Sequence, residues 1–399
     1  MTTERRGPEV REQSFSGRAW RIGSLFGIDI CLDSSLMIIF TLVVFMLGNA
    51  LIPEWHPDWE STIRWLVALA AGVMFFVSLL AHELAHSLMS RRFGVEVRRI
   101  TLFLFGGMAE MDSEPQEPRA EFMVAIVGPA TSLLLGLLFS TMGTQLAGVD
   151  FAAALAEDRE AALASLSPLA TLLLWLGPVN IVLGIFNLVP GFPLDGGRVF
   201  RAIMWWFTGD LQKATRMASG AGKLFGWCLM ILGAMQAVAG MLLQGLWLVL
   251  IGWFLSNAAT ASYRSLVLGR ILEGVKARDM MRCRFGSVSS QMRLTDFIEN
   301  QLMQSPQLLW PVLEEENLVG LVTLEEVRKV PADEREMTPI GQVMRTDLAA
   351  LTMDPDTDAR RVLEILGTGS VPLAVVDRGR VLGLLSAADA AKWVLLHQR

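Results

Sequence analysis

Uncharged apolar stretches divide the first two thirds of the chain, and charges return every few residues in the last third. Ser34–Pro53 is the first stretch. At about 20 residues it is long enough to cross about 30 Å of hydrocarbon as a helix. The second runs from Trp65 to about Ser90 and is charge-free as far as Ala81. The third is Phe122–Val149. The fourth lies in the uncharged run Ala161–Leu194, placed from about Pro168 to Leu188. Leu224–Tyr263 holds forty residues without a charge, enough for two helices with a tight turn near Gly240–Gln244. The pattern predicts six spans.

Basic residues orient them. Arg18 and Arg21 precede the first span, and Arg91, Arg92, Arg98 and Arg99 follow the second. Arg198, Arg201, Lys213, Arg216 and Lys223 follow the fourth, and Arg264 and Arg270 the sixth. The other connections, Glu54–Arg64 and Asp150–Glu160, are short of Lys and Arg. This alternation predicts cytoplasmic termini on both ends of a protein of the plasma membrane. The second span then runs inward.

Between the second and third spans the period changes. Arg99, Thr101 and Phe103 alternate with Ile100, Leu102 and Leu104 until Gly106–Gly107 interrupts. This predicts a strand or hairpin near the membrane surface. Its open edge offers pairing to an extended peptide; a plain surface hairpin is the alternative. From about Leu272 the pattern becomes that of a polar domain, with two similar segments about 63 residues apart. Val275–Met281 and Leu318–Arg328 belong to the first, Thr338–Met344 and Val381–Ala391 to the second. Each has an apolar strand containing glycine, then Thr or Ser, then an amphipathic helix. The expected fold is a polytopic α-helical membrane domain of six transmembrane helices, residues 1–271. A cytoplasmic α+β tandem pair follows over 272–399, with repeats at about 275–331 and 338–399.

Composition agrees with a bilayer-embedded chain. Hydrophobic residues make up 52% and mean hydropathy is +0.44, high for a soluble protein. A net charge of −6 gives no sign of a nucleic-acid partner. Cys31, Cys228 and Cys283 are too scattered for a disulfide framework or a Cys-x-x-Cys metal site. The first thirty-odd residues are polar, without the short apolar core of a cleaved signal peptide.

His82-Glu83-Leu84-Ala85-His86 closes the second span. On a helix this spacing puts two imidazoles one turn apart on one face, where they can clamp a zinc ion with Glu83 beside it as general base. Ionisable side chains at membrane depth are costly, which marks them as functional. A catalytic zinc needs a third protein ligand and an open position for water. Asp195, in Asn187-Leu-Val-Pro190-Gly-Phe-Pro193-Leu-Asp195-Gly-Gly, follows thirty-four uncharged residues. It lies at the cytoplasmic end of the fourth span, the side on which the histidines fall. Prolines and glycines break the helix there, and irregular backbone at membrane depth must be buried or line a cavity. The alternative is that Asp195 only caps a following helix, Gly196–Phe207. Asn187 can donate to a carbonyl that gains charge under attack, or act as a helix–helix contact. Gly128–Pro129 and Gly177–Pro178 are explained by close packing or kinking.

His82-Glu83-x-x-His86 together with Asn187-x-x-Pro190-x-x-Pro193-Leu194-Asp195-Gly196 resembles the site-2 protease family of intramembrane zinc metalloproteases. The whole chain resembles the subgroup with six spans and a C-terminal pair of cystathionine-β-synthase-type (CBS) motifs. The resemblance implies one Zn2+ per chain on His82, His86 and Asp195, with Glu83 activating water and Asn187 contacting substrate or oxyanion. It implies that the loop at Gly106–Gly107 is a membrane-associated hairpin. A PDZ domain, inserted between the motif-bearing spans in other subgroups, has no room in the connection from about Met142 to Ser167. CBS pairs often bind adenine nucleotides through a Thr or Ser and an Asp three residues on. Ser386 and Asp389 match that pattern; the first repeat has Thr323 and Glu326. Dimerisation through the pair, or docking of substrate, is the other role the resemblance offers. The implied function is regulated intramembrane proteolysis of a membrane-anchored protein near the cytoplasmic leaflet. A CBS-regulated transporter or channel is the rival, although no inverted repeat is evident across the spans. A catalytically silent scaffold fits poorly with an intact His-Glu-His-Asp set.

Overall fold

In the computed structural model, residues 19–103, 106–111, 115–368 and 371–397 are described. Arg18 and Leu104 of the reading above lie outside them. Six described helices are long and apolar enough to cross a membrane: Leu36–Trp55, Ser61–Arg92, Pro118–Ala147, Pro168–Asn187, Leu211–Val238 and Leu242–Ile271. They are called the first to sixth spans below. Less than half of the most apolar stretch of each is buried. Large apolar side chains such as Leu134, Leu137, Val182, Leu224 and Trp253 face outward. Lipid, not water, is the solvent that accepts such a surface.

The third, fifth and sixth helices are among those that exceed their uncharged cores. The third begins at Pro118, ahead of the first uncharged residue, and so carries Glu121 within the helix. The fifth begins at Leu211, where Asp210 caps it by accepting from the Gln212 and Lys213 amides. The sixth continues to Ile271. The turn between them falls at residues 239–241, at a left-handed Gly240. The fourth span is the most buried. It packs along the third through glycines: Gly136 meets Ile181 and the Gly177 carbonyl, Gly177 meets Ser140, and Gly184 meets Leu133. Small residues let helix backbones approach where no hydrophobic effect drives them together. This accounts for Gly177 as the sequence reading had it.

A four-stranded sheet of order β1 (Ala19–Leu25), β2 (Ile28–Asp33), β3 (Val97–Phe103) and β4 (Gly106–Met111) sits at one end of the bundle. The β2–β3 pair is parallel, because the first two spans intervene; the outer pairs are antiparallel. The β3–β4 hairpin realises the strand pattern around Arg99–Phe103. The β1–β2 hairpin lies in the N-terminal stretch for which no strand was predicted. Its turn, Phe26–Gly27, has positive φ at both residues, as a two-residue hairpin of matching twist requires. Arg91, in the last turn of the second span, donates to the Gly27 carbonyl at 2.9 Å and the Val97 carbonyl at 2.7 Å. The sheet is thereby tied to the helix that carries His82 and His86.

The chain forms two units, Met1–Tyr263 and Arg264–Arg399. In the second, β5 (Leu309–Glu314) and β6 (Asn317–Thr323) form a hairpin followed by a short helix. β7 (Thr352–Met353) pairs parallel to β8 (Leu373–Asp377), and β8 antiparallel to β9 (Arg380–Leu385), which runs into the helix Ala387–His397. The repeat is reciprocal. Met344, opening the second repeat, packs on Gly320 of the first, and Met281, opening the first, packs on Gly383 of the second.

Candidate active site

The second span presents His82 and His86 on one buried face. The fourth span ends at Asn187, the chain turns through Pro190–Leu194, and a new helix, Asp195–Thr208, begins at Asp195. Asp195 is the first helical residue rather than the cap. Its Oδ2 lies 3.0 Å from His82 Nε2 and 3.1 Å from His86 Nε2, and the two Nε2 atoms are 3.1 Å apart. Among the described residues this is the group of ligand atoms close enough to share a metal ion. Of the chain's other two histidines, His56 is hydrogen-bonded to Thr171 Oγ1 at 2.8 Å and His397 to the Trp393 carbonyl.

The far nitrogens of both rings are held by the third span. His86 Nδ1 donates to the Val124 carbonyl at 2.6 Å, and His82 Nδ1 is 2.8 Å from Ser132 Oγ. A carbonyl only accepts, so the proton of neutral His86 is on Nδ1 and its Nε2 lone pair faces Asp195. Lone pairs on three converging atoms repel unless a cation joins them. Two ligands about 2.0–2.1 Å from one tetrahedral zinc lie about 3.3 Å apart. The observed spacings of 3.0–3.1 Å fit that donor set. Outer partners of this kind fix ring orientation and tautomer at metal sites.

Two glycines make the approach feasible. A Cβ on Gly128 would collide with the His86 ring and His82 Nε2. A Cβ on Gly107, in β4, would collide with the Glu83 side chain. Gly128 therefore does more than the packing or kinking expected of it: it admits both imidazoles. Glu83, His82, His86, Asn187 and Asp195 all line one cavity of about 750 Å³. Met108 from β4, Phe186, Trp247 and Phe254 give it apolar walls, and Arg198 lies one turn after Asp195. The sequence reading missed Gly128, Val124 and Ser132 as the frame of the histidines. The one available signal was their spacing of four or eight residues on a single helix.

Ser386 and Asp389 also come together, in the second unit. Asp389 Oδ2 accepts from Ser386 Oγ at 2.6 Å, from the Ser386 amide at 3.1 Å and from Arg282 at 3.1 Å. Burial pushes the Asp389 carboxyl up, but hydrogen bonds from Ser386 and Arg282 outweigh it and hold it below the usual carboxylate range. Thr323 and Glu326 form the matching reciprocal cap in the first repeat.

Family comparisons decide what the first site belongs to. A model of peptidase family M50 matches residues 70–232, and one of the CBS domain matches residues 340–396. Zinc metalloprotease Rip3 of Mycobacterium tuberculosis is 32% identical over 380 residues, 94% of this chain and 93% of its own length. The chain belongs to the site-2 proteases, peptidase family M50. A second relative, zinc metalloprotease sll0528 of Synechocystis, is 31% identical over 376 residues, 93% of this chain and 94% of its own length. A solved site-2 protease from Methanocaldococcus jannaschii is 26% identical, with a TM-score of 0.38, covering 61% of this chain and 95% of that one. As a member of that family, this site-2 protease is a zinc metalloprotease and an integral membrane protein, and its C-terminal part holds a CBS domain. The transporter or channel alternative is set aside.

Proposed function

We propose that this protease cuts a membrane-anchored protein within or beside the bilayer, near its cytoplasmic face. The observation that carries the reading is the convergence of His82, His86 and Asp195 in a cavity that also receives Glu83. One zinc ion held by those three residues would polarise a scissile carbonyl and the attacking water. Glu83 takes the proton from that water and passes it to the leaving amine. Asn187, on the same cavity, donates an amide hydrogen bond to the carbonyl oxygen as charge develops there. The apolar walls receive a substrate segment that has left lipid, and the β4 edge offers its unwound backbone a partner.

Both termini are cytoplasmic in this proposal, in the plasma membrane. A reporter fused after Arg399 and one inserted in the Asp150–Glu160 loop then report opposite sides. The same side for both would remove the orientation and with it the cytoplasmic cut.

The CBS pair regulates the protease by binding an adenine nucleotide through Ser386 and Asp389. The carboxylate sits at a helix N-terminus, where ribose hydroxyls can donate to it and the helix end favours an anion. Arg282 is paired with Asp389, so a nucleotide exchanges with that contact. Coupling of this kind is typically about 1–3 kcal/mol, roughly 5- to 150-fold in substrate affinity. Calorimetric titration of the purified full-length protein with ATP and AMP should give binding that Asp389→Ala abolishes. No heat at millimolar nucleotide would leave the pair a dimerising or substrate-docking module.

A further inference from the structure

Glu121 and Arg201 form an ion pair inside the membrane unit that the proposed chemistry does not use. Glu121 is fully buried and Arg201 nearly so. Arg201 donates from Nε to Glu121 Oε1 at 2.5 Å, and its Nη2 donates to the same oxygen. The guanidinium also lies over the Phe192 ring, 5.2 Å from the centroid. Phe192 belongs to the broken segment before Asp195 and is buried against Ala218 and Ala259.

The partners sit on the two elements that frame the site. Glu121 lies on the third span, on the same helical face as Val124, Gly128 and Ser132, at spacings of three, four and four residues. Those three residues hold His86, admit both rings and hold His82, respectively. Arg201 lies on the helix that begins with Asp195, about 9 Å further along its axis. Helix and loop are both linked to Arg201, the helix through its backbone and the loop through Phe192.

We propose that the Glu121–Arg201 pair is a positioning device of the zinc site. It sets the register between the helix that orients both imidazoles and the helix that delivers the Asp195 carboxylate. A buried ion pair is weak grounds for stability, since well-packed apolar residues often hold a fold as well or better. What a charge-assisted contact through two nitrogens of one planar guanidinium adds is a fixed geometry. Metal sites are sensitive to such geometry, and loss of an outer partner typically costs about 10- to 100-fold in metal affinity.

The inference rests on His82, His86 and Asp195 being the zinc ligands, which the zinc content of wild type and its loss in Asp195→Ala test separately. The experiment compares full-length wild type with the double variant Glu121→Met/Arg201→Met and with Arg201→Lys, all purified in detergent. Thermal unfolding, zinc retention against a graded competing chelator, and the visible spectrum of the Co2+-loaded protein are recorded. Compared as metal-free proteins, the double variant should unfold at or above the wild-type midpoint, yet lose about 10- to 100-fold in zinc affinity with altered Co2+ bands. Arg201→Lys keeps the charge but not the fork. It should weaken zinc in the same direction, and it supplies the reading if the double variant does not fold. A folded variant with wild-type zinc affinity and an unchanged Co2+ spectrum would overturn the proposal and leave the pair a fold-stabilising contact only.

Discussion

Glu83→Gln leaves zinc bound and the fold intact while cleavage falls by about 100- to 10,000-fold, the usual contribution of a general base. The amide has the size and shape of the carboxylate, so it still fits beneath Gly107, where a Cβ would already collide. It lacks the basic oxygen that takes a proton from water. Glu83 is no ligand in this account: it follows His82 directly and lines the cavity beside the three converging atoms. Zinc content of the purified variant should therefore equal wild type. Turnover equal to wild type with zinc bound would mean that another group moves the proton.

Asp195→Ala costs both metal and activity. Two imidazoles remain, and catalytic zinc sites use three protein ligands. The variant also removes the carboxylate oxygen that both Nε2 atoms face at 3.0 and 3.1 Å. Zinc should be lost to a mild chelator that leaves wild type loaded. Asp195→Asn keeps one neutral oxygen and retains part of the metal with little turnover. A full complement of zinc in the alanine variant would place the third ligand elsewhere in the cavity.

The parts of this molecule legible in its sequence are those fixed by the bilayer or by local helix geometry. A membrane span must hold a long stretch with few charges whatever it touches, so all six helices could be read directly. Their ends could not: the Asp210 cap and the extension to Pro118 depend on local hydrogen bonds that polar residues disguise. His82 and His86 were legible because a spacing of four places them together by construction. Asp195 stood out as a lone charge after thirty-four uncharged residues.

What escaped were pairings between distant segments. β1 and β2 carry arginine, aspartate and exposed apolar residues in a pattern that suits an edge hairpin at a membrane surface. The parallel partner of β2, β3, is two spans away. Glu121 sits one residue before the uncharged stretch of the third span and reads as part of the loop. Only contact with Arg201, 80 residues on, shows it to be interior. Gly128 looked like a packing glycine because the imidazoles it admits come from another helix.

The central claim is that this chain hydrolyses membrane-anchored proteins through Glu83 and a zinc held by His82, His86 and Asp195. Fragment profiles of membrane proteins, compared between cells carrying wild type and Glu83→Gln at equal expression, test it most directly. Wild-type cells should release cytoplasmic fragments of at least one anchored protein, and the Glu83→Gln cells should retain the uncut precursor. Identical fragments and precursors in both would contradict the account.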